Sequence, residues 1–186
     1  MSKAMAGPVG IVGRLTVTLL ISVFLLTTYS NLVGDLGVID GDPALKAFSK
    51  IFRDASIFKP VFDEKNDTLY FEAYSVDGRL LGYGFSQTGR GMWGDIQVAG
   101  GLDLDFNVIG LSVIEQGETP GLGARIVEDR FLDQFKGLES GDVKLEKYGG
   151  KVDAISGASI SSKAVTEIIR LEMERVIPLL EANVDE

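Results

Sequence analysis

"TLYFEAYSVDGRLLGYGFS" (Thr68–Ser86) is the stretch on which the fold turns. Two runs of aromatic and aliphatic residues alternate with smaller or polar ones and flank Asp77-Gly78. That dipeptide suits the positive φ of a hairpin turn, so the pattern predicts two antiparallel strands. Downstream, "DIQVAGGLDLD" (Asp95–Asp105) and "NVIGLSVIEQ" (Asn107–Gln116) read as two further strands around a second turn. Upstream, "DGDPALKAFSKIFRDA" (Asp40–Ala55) reads as a helix, with Asp42 as N-cap and Pro43 at the first helical position. Ala44, Phe48 and Ile51 or Phe52 share one of its faces.

Beyond the strands, "ARIVEDRFLDQF" (Ala124–Phe135) spaces Ile126 or Val127, Phe131 and Phe135 like a helix, which Gly137 can end. Short strands are expected near "VKLEKY" (Val143–Tyr148) and "KVDAIS" (Lys151–Ser156). A last helix is expected over "KAVTEIIRLEMERVIPLLEA" (Lys163–Ala182), kinked or ended early by Pro178. Its apolar stripe runs through Val165, Ile168, Ile169, Val176, Ile177 and Leu180. Helices bracketing an antiparallel meander make this an α+β domain.

The 186 residues include neither cysteine nor histidine. Disulfides, cysteine-ligated metals and clusters, Ser-His-Asp triads and imidazole acid–base chemistry are therefore excluded. Redox work would fall to an organic cofactor. A net charge of −9 argues against a nucleic-acid partner, because a phosphate backbone calls for Lys and Arg.

The charge is unevenly placed. Residues 1–33 hold Lys3 and Arg14 and no acid, and Leu15–Val33 carries no charge at all. About 20 such residues span a bilayer core as a helix. Asp35, Asp40 and Asp42 follow, so the positive-inside bias puts the N-terminus in the cytoplasm. The expected organisation is a cytoplasmic N-terminus and membrane anchor over 1–34, then an extracytoplasmic domain over 35–186.

Three segments carry candidate chemistry. "GRGMWG" (Gly89–Gly94) has the G-x-G-x-x-G spacing of a dinucleotide site, but a strand rather than a helix follows it, so a Rossmann site is not expected. Trp93 is either a core plug or a flat surface on which a ring can pack. "QGETPGLGAR" (Gln116–Arg125) has Pro120 and Gly121 where a type II turn wants them, and Glu118 and Thr119 offer hydrogen bonds beside exposed backbone amides. "DAISGASISSKAV" (Asp153–Val165) leads into the last helix. A helix N-terminus suits a phosphate. N-capping by Ser161 or Ser162 is the plainer reading, but it gives no role to Asp153, Gly157, Ala158 and Ser159.

"GRGMWG", "GETPGLG" and "DAISGASISS", in this order after one N-terminal membrane helix, resemble the FMN-binding subunits of membrane electron-transport complexes. These are the G subunit of the Rnf ferredoxin–NAD oxidoreductase and the C subunit of the sodium-pumping NADH–quinone oxidoreductase. The resemblance implies an electron carrier with FMN bound covalently through its phosphate to the Ser159 hydroxyl. It implies that Ser156, Gly157, Ala158, Ser161 and Ser162 surround the attachment point, and that Asp153 is recognised by a flavin transferase. Glu118, Thr119, Leu122, Gly123 and Trp93 would line the flavin. Serine stands at Ser159 where the family usually has threonine, and its hydroxyl can form the same phosphoester. The implied partners are the other membrane and iron–sulfur subunits of an ion-translocating complex. No metal ligand or catalytic side chain is implied. The alternative is a membrane-anchored assembly domain that binds no flavin.

Overall fold

The computed structural model describes residues 8–34, 42–63 and 65–184. It divides into two compact units, Met1–Val38 and Ile39–Glu186. The first contains α1 (Pro8–Gly34). The hydroxyls of Thr18, Thr27 and Thr28 donate to backbone carbonyls one turn earlier in that helix, so they need no outside partner. Every described side chain of α1 is exposed. Among the described residues no helix is long and apolar enough to cross a membrane.

The second unit is built on a five-stranded antiparallel sheet whose strands lie side by side in chain order. They are β1 (Ala55–Phe62), β2 (Thr68–Ser75), β3 (Leu80–Arg90), β4 (Asp95–Leu102) and β5 (Val108–Gln116). The β2–β3 hairpin forms where Asp77-Gly78 predicts it. Gly78 takes φ +76°, and Ser75 receives the N–H of Gly78 on its carbonyl at 3.0 Å.

Helices cover both faces. On one side α2 (Pro43–Ile51) buries Ala44, Ala47 and Phe48 with Phe58, Ala73 and Ala99 of the sheet. Asp42 caps it as expected, its side chain accepting the Ala44 N–H at 2.9 Å. Gly101 lets this helix close on β4, since a Cβ there would stand 2.6 Å from Ile51 Cγ2. On the other side α4 (Ser159–Val184) buries Val165, Ile169, Met173, Val176 and Leu180 with Phe85, Ile96 and Val98.

Four expectations need correction. The helix over Asp40–Ala55 ends at Ile51, and the chain then forms β1, which the sequence reading omitted. Pro60 hides that strand from a propensity reading, yet an edge strand tolerates a residue without an N–H. The segment Ala124–Phe135 is not one helix. Glu128 is extended at φ −68° and ψ 134°, splitting it into a 3-10 turn (Gly123–Val127), the four-residue α3 (Asp129–Leu132) and a second 3-10 turn (Asp133–Phe135). Glu128 is held there by Arg125 at 3.0 Å and Arg130 at 2.9 Å. Ile126, Phe131 and Phe135 are still fully buried, so the apolar spacing reported burial and not helix.

The two short strands reduce to one parallel bridge, Leu145 with Val152. A 3-10 turn and Gly149 at φ +81° reverse the chain before a ladder can grow. Finally, α4 starts four residues before Lys163 and runs through Pro178 to Val184. Burial of Val176 and Leu180 on either side holds the helix across the lost backbone bond.

Candidate functional site

Strand pairing brings the three motif segments together. Arg90 pairs with Asp95 across the β3–β4 turn, and Ile96 pairs with Gln116 at the end of β5. The Gly91–Gly94 turn and the Gly117–Leu122 loop therefore leave the sheet at the same end. The first turn of α4 arrives there because α4 packs on β3.

Close packing explains the glycines of "GRGMWG". A Cβ on Gly89 would lie 2.4 Å from Ile168 Cγ1 of α4, and one on Gly91 would lie 2.3 Å from Glu118 Oε1. One on Gly94 would lie 2.8 Å from the Cα of Gly117. The spacing that mimics a dinucleotide fingerprint thus clears room for a helix, a carboxylate and a neighbouring backbone.

Glu118 is the polar centre of the cluster and is 5% exposed. Its Oε1 accepts the N–H groups of Met92 at 2.8 Å and Trp93 at 3.1 Å, and its Oε2 accepts the Ser161 hydroxyl. Burial pushes the carboxyl pKa up. The Ser161 hydroxyl and the backbone N–H donors outweigh burial and hold it below the ordinary glutamate range. The type II turn forms beside it, with Gly121 at φ +74° and the Leu122 N–H on the Thr119 carbonyl at 3.2 Å.

An open cleft of about 390 Å³ lies where the three segments meet. Trp93, Glu118, Thr119, Leu122 and Gly123 line one side. Gly157, Ala158, Ser159 and Ser161 line the other. Ser159 is the first residue of α4 and is exposed. Gly157 takes φ +80°, which turns the chain into the helix beside Leu122. The sequence reading missed Met92 and Ile160, which line the same cleft and are 48% and 56% exposed. An isoleucine among serines and a methionine beside the lone tryptophan were the available signals.

Three expected residues stand apart from the cleft. Ser162 is fully buried. Its hydroxyl accepts the Ile155 N–H at 3.0 Å and donates to the Ala158 carbonyl at 2.9 Å, pinning the 155–158 loop. Neither it nor Ser161 is an N-cap, because the helix begins before both. Asp153 and Ser156 line a separate depression of about 170 Å³ with Arg130 and Gln134. The Asp153 backbone is anchored there, its N–H on Gln134 Oε1 at 2.7 Å.

The arrangement can hold a phosphorylated flat ring. Ser159 offers a hydroxyl at a helix N-terminus, whose N–H groups and dipole favour phosphate. Met92, Trp93, Leu122 and Ile160 supply exposed apolar surface around it. Among the described residues no group of His, Cys, Asp or Glu could hold a metal ion.

Residues 91–171 match the family described as "FMN-binding domain", a span that includes every cleft residue. The chain is 34% identical over 173 residues to the G subunit of the ion-translocating oxidoreductase complex of Methanosarcina acetivorans, covering 89% of this chain and 92% of the relative. It is 30% identical over 129 residues to the G subunit of the proton-translocating ferredoxin:NAD(+) oxidoreductase complex of Clostridium ljungdahlii, covering 68% of each. The crystal structure of Shewanella oneidensis NqrC has the same fold, with a TM-score of 0.52, 22% identity, and coverage of 77% of this chain and 75% of that one. With these residues at one cleft and this extent of similarity, the chain belongs to the family of G subunits of ion-translocating oxidoreductase complexes.

Proposed function

We propose that this chain is the FMN-carrying electron-transfer subunit of a membrane ion-translocating oxidoreductase of the ferredoxin–NAD type, with FMN attached by a phosphoester to Ser159. The observation that carries this reading is the exposed Ser159 hydroxyl at the head of α4, inside the cleft formed by all three motif segments. Bound FMN supplies reversible electron transfer at low potential, chemistry that this sequence, which has no thiol and only high-potential tyrosine and tryptophan side chains, leaves to an organic cofactor.

The chain's own residues do the holding. The first turn of α4 stabilises phosphate charge at Ser159. Gly157, at φ +80°, turns the chain into the helix just ahead of the hydroxyl, and Trp93, Met92 and Leu122 offer apolar surface to the ring. Asp153 and Ser156 lie in their own depression, where a flavin transferase could grip the segment without blocking the cleft.

The anchor and topology belong to the same proposal. Leu15–Val33 has no charge, Lys3 and Arg14 precede it, and acids follow it. The N-terminus is then cytoplasmic and the FMN-bearing domain lies across the membrane, in contact with other subunits of the complex. A lone helix without an intramembrane acid offers no ion path, so pumping belongs to those other subunits.

The test is the intact mass of the full chain expressed with a flavin transferase, beside Ser159→Ala. A gain equal to FMN less one water, lost in the variant, is expected. The same gain in Ser159→Ala would move the bond to another hydroxyl. No gain in either protein would overturn the covalent reading and leave non-covalent FMN or an assembly domain.

A further inference from the structure

Resemblance to related sequences makes Glu118 a flavin contact, but the structure gives its carboxylate a different task. Both oxygens accept hydrogen bonds from the protein itself: Met92 and Trp93 N–H on Oε1, and the Ser161 hydroxyl on Oε2. Its own backbone is pinned as well, the Glu118 N–H lying 2.7 Å from Gln116 Oε1. The turn's base is fixed by the Gly94–Gly117 backbone contact and the exposed Arg90–Asp95 ion pair at 3.2 Å, but Met92 and Trp93 at its tip have little else to hold them. Met92 and Trp93 are 48% and 65% exposed, so their side chains contribute little packing. The turn's own backbone bond is the Gly91 N–H to the Gly94 carbonyl at 2.8 Å. Glycine stands on both sides of the carboxylate. A Cβ at Gly91 would meet Oε1 at 2.3 Å, and one at Gly123 would meet Oε2 at 2.8 Å.

We propose that Glu118 is a positioning residue and not a ligand. Its buried carboxylate locks the Met92–Trp93 turn to the first turn of α4 at Ser161, and so sets the wall of the cleft on which a ring would lie. The lock is independent of what the cleft binds. Its consequence for FMN rests on the function proposed above.

Trp93 is the one tryptophan in the chain, so its fluorescence reports this turn alone. The experiment uses the full chain, purified without a flavin transferase. It measures Trp93 anisotropy first, then quenching of Trp93 by added FMN. Glu118→Ala is expected to lower the anisotropy and to weaken FMN binding about tenfold. Glu118→Gln keeps the geometry: its carbonyl oxygen can accept both N–H groups while its amide donates to Ser161 Oγ. It is expected to stay within about twofold of the parent in FMN affinity, with Trp93 anisotropy preserved.

Unchanged Trp93 anisotropy in Glu118→Ala overturns the lock. So does a Glu118→Gln protein that loses FMN as badly as Glu118→Ala with Trp93 still held, since charge or direct contact would then matter. Should Glu118→Ala fail to fold by circular dichroism, Ser161→Ala tests the same lock by removing the hydroxyl that Oε2 accepts: lowered Trp93 anisotropy is expected, and unchanged anisotropy overturns the lock. A parent protein that free FMN does not quench leaves the FMN reading to the mass measurement above, and anisotropy alone then decides the lock.

Discussion

Gly94 and Gly117 stand backbone to backbone, so that a Cβ on Gly94 would lie 2.8 Å from the Cα of Gly117, and one on Gly117 would lie 3.0 Å from the Cα of Gly94. This contact joins the β3–β4 turn to the loop that follows β5. Neither backbone can give way without shifting a strand end. Gly94→Ala should therefore destabilise the domain by about 2 kcal/mol through overpacking. Urea denaturation would show it as a lowered midpoint at unchanged slope. Gly141→Ala, where no atom lies within 4 Å of the added Cβ, is the control and should leave the midpoint in place.

Glu118 makes stability depend on acid. Its carboxyl is held below the ordinary glutamate range: burial opposes this, and the Ser161 hydroxyl with the Trp93 and Met92 N–H groups outweighs burial. The folded state therefore releases this proton more readily than the unfolded state. Its stabilisation is fully present above the unfolded value, about 4.3, and is lost as pH falls through the lower folded value. Unfolding free energy measured against pH should fall below that point. The fall should be shallower in Glu118→Gln, and an identical slope in both proteins would assign the acid sensitivity elsewhere.

Tyr74 does the reverse at high pH. Its hydroxyl donates to Glu72 Oε2 at 2.8 Å, and that bond, with burial and the nearby Glu72 charge, pushes its pKa up to about 12. The folded state keeps the proton longer than the unfolded chain. Stability from this pair is present below the unfolded value near 10 and is lost as pH rises through about 12. Spectrophotometric titration should find Tyr74 ionising late, together with Tyr83, which burial and the Glu72 charge also push up, and Glu72→Gln should bring Tyr74 back toward the ordinary range.

Glu172 is 2% exposed on α4 and depends on Arg175 and Gln87. Arg175 donates to both of its oxygens and reaches the Leu69 carbonyl at 3.0 Å, and Gln87 donates to Oε2 at 3.1 Å. Arg175→Met would leave a buried carboxylate short of donors. The expected cost is about 2 kcal/mol, less than for a fully buried pair because the arginine side chain is 42% exposed. Thermal unfolding would measure it, and adding Glu172→Leu should recover part of the loss.

Local chemistry made much of the fold legible. Asp42-Pro43 announced the start of α2, Asp77-Gly78 announced the β2–β3 hairpin, and Thr119-Pro120-Gly121 announced its turn, because each depends on φ angles and caps set within a few residues. Apolar spacing marked Ile126, Phe131 and Phe135 for the core. It could not show that Glu128 breaks the helix between them, since two arginines and the packing of three short turns enforce that break. The strand containing Pro60 escaped notice because only its place at the sheet edge makes it tolerable.

The same division holds at the site. By itself the sequence determined the charge-free segment, the absence of any thiol or imidazole, and the three motif segments, with Ser159 four residues ahead of the expected last helix. Tertiary structure decided that those segments share one cleft, and that Asp153, Ser156 and Ser162 stand outside it. It also gave Glu118 its partners, 25 and 26 residues back and 43 residues ahead in the chain. Contacts of that separation arise only when strand pairing and helix packing bring distant backbone together, and no local pattern encodes them.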